Sequence, residues 1–160
     1  MAFWLMKSEP GAFSIDDLAA RPGRRTGWDG VRNYQARNFM RAMRVGDRAF
    51  FYHSNAEPSG IAGLVEIVRR AYPDPTQFDS RDSHYDERAT PERPVWEQVD
   101  VRLLQKFPRL LPLAELRGMP ELKGMALFTR GRLSVQPVAP PQYSAILKKS
   151  RPSCGRPQAG

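Results

Sequence analysis

The chain has 160 residues, of which 41% are apolar, and its formal net charge is +8 at pH 7. This length and composition predict one globular domain with a hydrophobic core, and they exclude a mainly disordered chain. The basic balance favours polyanionic partners. Half of that charge comes from four residues near the C-terminus, which are Lys148, Lys149, Arg151 and Arg156.

The single cysteine and the short apolar runs indicate the kind of cellular compartment in which the protein is expected. Cys154 is the single cysteine, so we expect neither a disulfide within the chain nor a cysteine-based metal site. A reducing compartment, such as a bacterial cytoplasm or nucleoid, fits this usage. No apolar run approaches the roughly 18 residues that span a bilayer, and residues 1–10 lack the basic start of a signal peptide. We therefore expect a protein that is neither secreted nor bound to a membrane.

The first predicted elements are a buried strand over residues 2–7 and a short helix that continues through Arg21. Ser14 and Asp17 have the spacing of a capping box at the start of that helix. A basic loop over residues 21–26 is expected to follow.

The central stretch, residues 28–55, contains a turn, an arginine-rich helix and a buried strand. Asn33 is the predicted N-cap of the helix, and Gly46 is predicted to end it. Its apolar face consists of Ala36, Phe39, Met40 and Met43. The strand over residues 48–54 has aromatic residues on both faces, so we expect it to be central and covered on both sides.

The remaining elements are shorter and separated by turn residues. Gly60 and Gly63 indicate a bulge or a close backbone approach in the next strand. The predicted elements are a strand over 60–68, a polar loop over 71–94, a strand over 95–103, a helix over 113–117, a strand over 133–138 and a helix over 142–149. Five to six short strands without βαβ alternation predict an α+β domain with a small, mixed, mostly antiparallel β-barrel and short peripheral helices. We expect this domain to cover residues 1–149 and a basic disordered tail to cover residues 150–160.

Residue types in the central stretch point to a pocket for a flat, polar ligand. Trp28 and Tyr34 offer aromatic faces, and Asn33 can donate and accept hydrogen bonds. Arg37 begins a stripe of three arginines, with Arg41 and Arg44. Each feature has a plainer interpretation, since Trp28 can be a core aromatic and the stripe can be a solvated helix face.

The end of the predicted central strand is the second candidate region. His53, Ser54 and Asn55 emerge where that strand gives way to a loop, a position at which binding groups are often held on a rigid scaffold. The plainer interpretation is that the three side chains satisfy one another and the loop backbone.

The order and spacing of several motifs resemble the EVE-domain proteins, a branch of the PUA-like barrels that includes the thymocyte nuclear protein family. The motifs are FWLMKSEP (3–10), WDGVRNYQARNFMR (28–41), FYHSN (51–55), AYPDPTQFD (71–79) and GRLSVQPV (131–138). The resemblance extends from Phe3 to about Leu147. It implies a PUA-like fold that binds a modified base in DNA or RNA, or a free modified nucleoside, without an established catalytic activity.

The resemblance also implies which side chains bind the ligand. They are Lys7, Ser8, Trp28, Asn33, Tyr34, Arg37, His53, Ser54, Asn55, Ser134 and Gln136. Amides and hydroxyls suit the edge of a base, and an aromatic ring suits its face. A pocket for one base requires an extruded or single-stranded nucleotide.

Two other classes of function stay open from the sequence. His53 beside Ser54, with Lys7 nearby, could support a small amidohydrolase acting on modified nucleosides, although no carboxylate has a telling spacing. The aromatic residues of the loop over 72–94 could instead form a protein-interaction surface. We expect no cofactor and no metal site, because His53, His84 and the loop acids lack ligand spacing. Without a GxGxxG or P-loop pattern, dinucleotide chemistry has no support either, and the sequence leaves the oligomeric state open.

Overall fold

The structure, a computed structural model, describes residues 1–151. Its six strands are β1 (Phe3–Ser8), β2 (Arg25–Gly27), β3 (Arg48–His53), β4 (Gly60–Pro73), β5 (Glu97–Pro112) and β6 (Val135–Val138). They form one sheet in the order β2-β5-β4-β3-β1-β6. Strands β1 and β3 pair in parallel, and every other neighbouring pair is antiparallel.

The predicted α+β class with six mostly antiparallel strands is confirmed, but the predicted barrel is an open sheet. A barrel closes only when its first and last strands pair with each other. Here the edge strands are β2, with three residues, and β6, with four, and they stand at opposite ends of the hydrogen-bonded order.

Five short helices flank the sheet. They are α1 (Ile15–Ala20), α2 (Tyr34–Ala42), α3 (Leu113–Arg117), α4 (Ala126–Thr129) and α5 (Pro140–Ser150), with single 3-10 turns at Pro22–Arg24, Pro75–Phe78 and Pro120–Leu122. Both predicted N-terminal caps are confirmed. Ser14 and Asp17 form a reciprocal capping box on α1, and the Asn33 side chain accepts from the Ala36 amide at 2.9 Å. None of the helices within residues 1–151 is both long and apolar enough to cross a bilayer.

Strand β3 separates two hydrophobic clusters, which confirms its predicted central position. Phe51 packs on one side with Met40 of α2 and other buried residues. Phe50 packs on the other side with Tyr143 and Ile146 of α5. Adjacent residues of a strand face opposite sides of the sheet, so Phe50 and Phe51 enter different clusters. Both are fully buried, because each side of the sheet is covered.

The glycines of β4 behave as the sequence predicts. The register between β4 and β5 shifts between Ile61 and Gly63. A Cβ atom on Gly60 would lie 2.2 Å from the carbonyl oxygen of Leu111, and one on Gly63 would lie 2.3 Å from that of Gln105. Both glycines therefore allow β5 to approach more closely than any side chain would permit.

The end of α2 differs from the prediction. The helix ends at Ala42, and its C-cap is Met43, whose extended backbone turns a fully buried side chain into the core. Gly46 lies beyond this end, with φ +96°, in the turn closed by a hydrogen bond from the Asp47 amide to the Arg44 carbonyl. Gly46 therefore belongs to the turn after α2 and is not the C′ residue of the helix.

Several boundaries also differ from the predictions. The predicted basic loop over 21–26 contains β2, because residues 25–27 pair with β5. Strands β4 and β5 continue to Pro73 and Pro112, beyond their predicted ends, because bulges interrupt the alternation that marks a strand in a sequence. Ser150 closes α5, whereas residues 152–160 of the predicted tail lie outside the described residues. The domain boundary at 149 stays a prediction.

Candidate ligand-binding cleft

Two cavities, of about 740 and 320 Å³, open beside the ends of β1 and β2. We call them together the cleft, because they share six lining residues. The shared residues are Lys7, Ser8, Ala12, Phe13, Asp29 and His84. Volumes of this size fall in the range of small-molecule and cofactor sites.

Lys7 and Ser8 reach the cleft because β1 ends there. The Lys7 Nζ donates to the Gly131 carbonyl at 3.0 Å, and the Lys7 amide donates to the Ser134 carbonyl at 2.8 Å. Burial lowers the pKa of Lys7. Ser8 Oγ donates to the Phe13 carbonyl at 2.6 Å. These bonds fix both neighbouring segments of chain against the end of β1.

Two aromatic rings line the cleft in different ways. Trp28 lines only the smaller cavity, is 6% exposed, and packs edge-on against Phe51 with ring centroids 5.1 Å apart. Phe13 lines both cavities and is only partly buried, with the Arg21 guanidinium 5.2 Å from its ring centroid. Trp28 is therefore mainly a buried wall, and Phe13 is the ring with more accessible surface.

A buried carboxylate holds the opposite wall together. Asp74 accepts from the Gly30 amide at 2.8 Å and from Arg32 Nη1 at 3.0 Å. Arg32 Nε in turn donates to the His84 carbonyl at 2.9 Å. Gly30 has φ +79°, and a Cβ atom there would lie 2.9 Å from the His84 ring. This network presses His84, from the loop after β4, onto the turn at Asp29 and Gly30.

The two carboxyl groups of this wall have pKa values shifted in opposite directions, because only one of them accepts several hydrogen bonds. Burial alone would raise the pKa of Asp74, but hydrogen bonds from Thr76, Gly30 and Arg32 hold it below its usual value. Asp29 lies at the open edge of the cleft. Partial desolvation, together with the nearby Asp74, nevertheless raises its pKa, and His84 opposes the shift. A carboxyl that is easier to protonate therefore lines both cavities.

Six of the predicted residues line the cleft. Lys7, Ser8, Ser54, Asn55 and Ser134 line the larger cavity, and Lys7, Ser8 and Trp28 line the smaller one. Asn55 has φ +50°, and its Nδ2 donates to Glu9 Oε2 at 2.9 Å. The Ser54 amide donates to the Ser8 carbonyl at 2.9 Å, which continues the pairing of β1 with β3. These contacts join the first and third predicted motifs at one wall.

Five other predicted residues do not line either cavity: Asn33, Tyr34, Arg37, His53 and Gln136. Asn33 caps α2, and His53 Nε2 accepts from the Ile15 amide at 3.1 Å. Burial lowers the pKa of His53, which suits a neutral acceptor. Gln136 is fully buried and donates to the Leu133 carbonyl, while its Oε1 has no partner within residues 1–151.

Sequence reasoning missed several lining residues. They are Glu9, Ala12, Phe13, Arg21, Thr26, Gly27, Asp29, Gly30, Ser83, His84, Gly131 and Arg132. Three of them had a signal in the sequence: Asp29 and Gly30 form a turn within the central motif, and His84 is an unusual residue for a simple linker. Within residues 1–151, no group of three or more histidine, cysteine, aspartate or glutamate side chains is placed to hold a metal ion.

Comparisons with known proteins place the chain. The EVE domain family model matches residues 2–149. Human thymocyte nuclear protein 1 is 49% identical over 161 residues, covering 90% of this chain and 72% of that protein. A solved hypothetical protein from Leishmania major has 51% identity and a TM-score of 0.91, with 94% of each chain covered. The crystal structure of human THYN1 protein in complex with 5-methylcytosine-containing DNA has 47% identity and a TM-score of 0.91, covering 96% of this chain and 99% of that one. The resemblance seen in the sequence is thus confirmed, and the chain belongs to the EVE domain family.

Proposed function

We propose that this protein binds a modified nucleobase of DNA or RNA in the cleft, without catalysing a reaction on it. The observation that carries the proposal is the shared lining of the two cavities, which combines one partly exposed aromatic ring with varied hydrogen-bonding groups. Human THYN1, which is 47% identical to this chain, has been solved in complex with 5-methylcytosine-containing DNA, and this supports the same class of ligand here.

The groups of the cleft match the two kinds of surface that a base presents. Phe13 offers a ring to the base face, and such stacking contributes about 1–3 kcal/mol per base in single-strand binders. Asn55 and Ser54 donate and accept hydrogen bonds, and Asp29 accepts them from base N–H groups. The Lys7 ammonium lies on the same wall and suits a carbonyl oxygen or a phosphate.

The hydrolase alternative finds no support in the geometry of its proposed base. A general base needs a ring nitrogen free to take a proton from the nucleophile. His53 Nε2 already accepts from the Ile15 amide, so this nitrogen caps the start of α1. His53 also lies outside the lining of both cavities. Its position therefore favours a structural role.

A steric block tests the proposal directly. Ala12 is exposed and lines both cavities, so Ala12→Trp should fill the cleft without disturbing the core. Ala19 is exposed on α1 and lines neither cavity, so Ala19→Trp is the matched control. We expect Ala12→Trp to weaken binding of a fluorescent single-stranded oligonucleotide containing one 5-methylcytosine by about fivefold or more. The control should stay within about twofold of wild type.

Fluorescence polarisation is repeated with DNA and RNA oligonucleotides, each with and without the 5-methylcytosine. The four affinities show whether the protein prefers DNA or RNA and whether it prefers the modified base. If the Ala12→Trp variant binds the oligonucleotide as tightly as wild type does, nucleic acid binds outside the cleft and the proposal fails.

A further inference from the structure

A second surface lies next to the cleft and is built from three residues that line neither cavity. Tyr34 is 49% exposed, although it begins α2 and stacks on Trp96, with ring centroids 4.8 Å apart and planes at 28°. The Arg37 guanidinium lies 4.9 Å from the Tyr34 ring centroid and 6.0 Å from that of Trp96. We call Tyr34, Arg37 and Trp96 the aromatic–arginine patch.

The patch rests on a rigid base. Trp96 is 3% exposed, its Nε1 donates to Asp86 Oδ2 at 2.8 Å, and its amide donates to Gln77 Oε1 at 2.8 Å. Gln77 is itself fully buried. Because Tyr34 is already stacked on this fixed Trp96 ring, its side chain loses little conformational entropy when a ligand binds.

The positive charge of Arg37 is not neutralised within residues 1–151. Its Nη1 donates to the Val95 carbonyl at 2.9 Å, and its Nε and Nη2 donate to Asn38 Oδ1 at 3.2 and 3.0 Å. Arg41, one turn further along α2, is paired with Glu97 instead. Partial burial, followed by the repulsion from Arg41, lowers the pKa of Arg37, and Glu97 opposes the shift. Because the Arg37 guanidinium donates only to neutral oxygens, a phosphate would be its first directly bonded anion among the described residues.

Arg32 and His84 link the patch to the cleft. Arg32 lies with its guanidinium carbon 5.5 Å from the Trp96 ring centroid, and its Nε donates to the carbonyl of His84. The His84 side chain lines both cavities. A strand that leaves the cleft past His84 can therefore reach Tyr34 and Arg37, which cover the buried Trp96.

From this juxtaposition we propose that the patch binds the nucleotide next to the base held in the cleft, with Tyr34 stacking on the neighbouring base and Arg37 contacting its phosphate. The inference rests on the proposed function and extends it, because it makes the ligand an extruded base within a strand and not a free nucleoside. Stacking and backbone contacts of this kind tolerate any sequence. The patch would therefore add affinity without adding discrimination between bases.

Two substitutions with matched controls test the inference. Tyr34→Ser removes the exposed ring, and Tyr85→Ser removes a tyrosine of similar exposure, 44%, outside the patch. Arg37→Gln removes the unneutralised charge, and Arg44→Gln removes an exposed arginine beyond the end of α2. Affinity for the single-stranded oligonucleotide with one 5-methylcytosine is measured by fluorescence polarisation at several salt concentrations.

We expect Tyr34→Ser to weaken binding about fivefold or more and Tyr85→Ser to stay within about twofold of wild type. Arg37→Gln should reduce the slope of log K against log salt by about 0.7, the value for one phosphate contact on a single strand, while Arg44→Gln should not. The inference is overturned if Tyr34→Ser and Arg37→Gln bind the oligonucleotide with the same affinity as their controls.

The same experiment separates the two proposals. If Ala12→Trp loses binding while Tyr34→Ser and Arg37→Gln keep it, the cleft binds the base and the patch has no part. If Tyr34→Ser and Arg37→Gln lose binding while Ala12→Trp keeps it, the patch binds nucleic acid and the proposed function of the cleft fails.

Discussion

Replacing Asp74 by asparagine should destabilise the protein and loosen one wall of the cleft. Asp74 Oδ2 accepts from Gly30 and Arg32, and its Oδ1 accepts from the Thr76 amide at 2.8 Å and from Thr76 Oγ1 at 2.6 Å. Asparagine keeps the shape but turns one acceptor into a donor, so at least one buried N–H loses its partner. Arg32 also loses its countercharge.

The size of the effect follows from these contacts. A hydrogen bond to a charged group contributes about 1.5–3 kcal/mol, and breaking a buried ion pair costs about 3–5 kcal/mol. Because Thr76 Oγ1 can rotate and accept from the new amide, we expect a loss near the lower end, about 3 kcal/mol. For a domain of this size, that loss corresponds to a melting temperature lower by about 6–12 °C.

The pH dependence gives the prediction a sign. The pKa of Asp74 lies below its usual value, so its stabilisation is complete above the unfolded-state pKa of about 4 and is lost as the pH falls through the folded-state pKa. The asparagine variant cannot titrate at this position. The difference in unfolding free energy between wild type and variant should therefore be largest near neutral pH and shrink below about pH 4.

Urea unfolding at pH 7, 5 and 3 measures this difference. Asp16→Asn is the matched control, because Asp16 forms an exposed ion pair with Lys106 and should contribute less than about 1 kcal/mol. A loss of under about 1 kcal/mol for Asp74→Asn at pH 7, or a difference that grows towards pH 3, would mean that the Asp74 carboxylate does not stabilise this wall.

The remaining predictions concern close packing. Gly60→Ala should lower the unfolding free energy by about 1–3 kcal/mol, because its Cβ would collide with the Leu111 carbonyl, whereas Gly11→Ala meets no atom within 4 Å and should be nearly neutral in chemical denaturation. Trp28→Ala should cost about 3–5 kcal/mol of stability and weaken oligonucleotide binding more than Arg44→Ala does, because Trp28 is both a core side chain and a wall of the cleft. Equal binding losses for these two variants would contradict a role for Trp28 in the cleft.

Local chemistry explains the features that the sequence predicts correctly. The Ser14 and Asn33 caps depend on a side chain three residues from its partner amide, so spacing alone identifies them. The central position of β3 follows from adjacent aromatic residues, Phe50 and Phe51, that must face opposite sides of a sheet. Gly60 signals a close backbone approach without indicating which strand approaches.

Long-range pairing explains why the structure separates the predicted site residues into two groups. The strand end at residues 53–55 looks like one unit in the sequence, but His53 turns to the start of α1 while Ser54 and Asn55 face the cleft. The sequence predicts Tyr34 and Arg37 in the pocket, whereas the structure places them on the surface of α2 against Trp96, which is about sixty residues away in the chain.

The family, the α+β class and the central strand are evident from the order of residues alone, because motifs, caps and alternating apolar residues act over a few positions. The pairing of β1 with β3 and β6 becomes visible in the folded chain, where it brings Lys7 beside Gly131 and Ser54 beside Ser8. The same is true of the contact between His84 and Gly30, which depends on Asp74. Contacts between distant segments depend on sheet order and loop anchoring, and no local spacing in the chain encodes them.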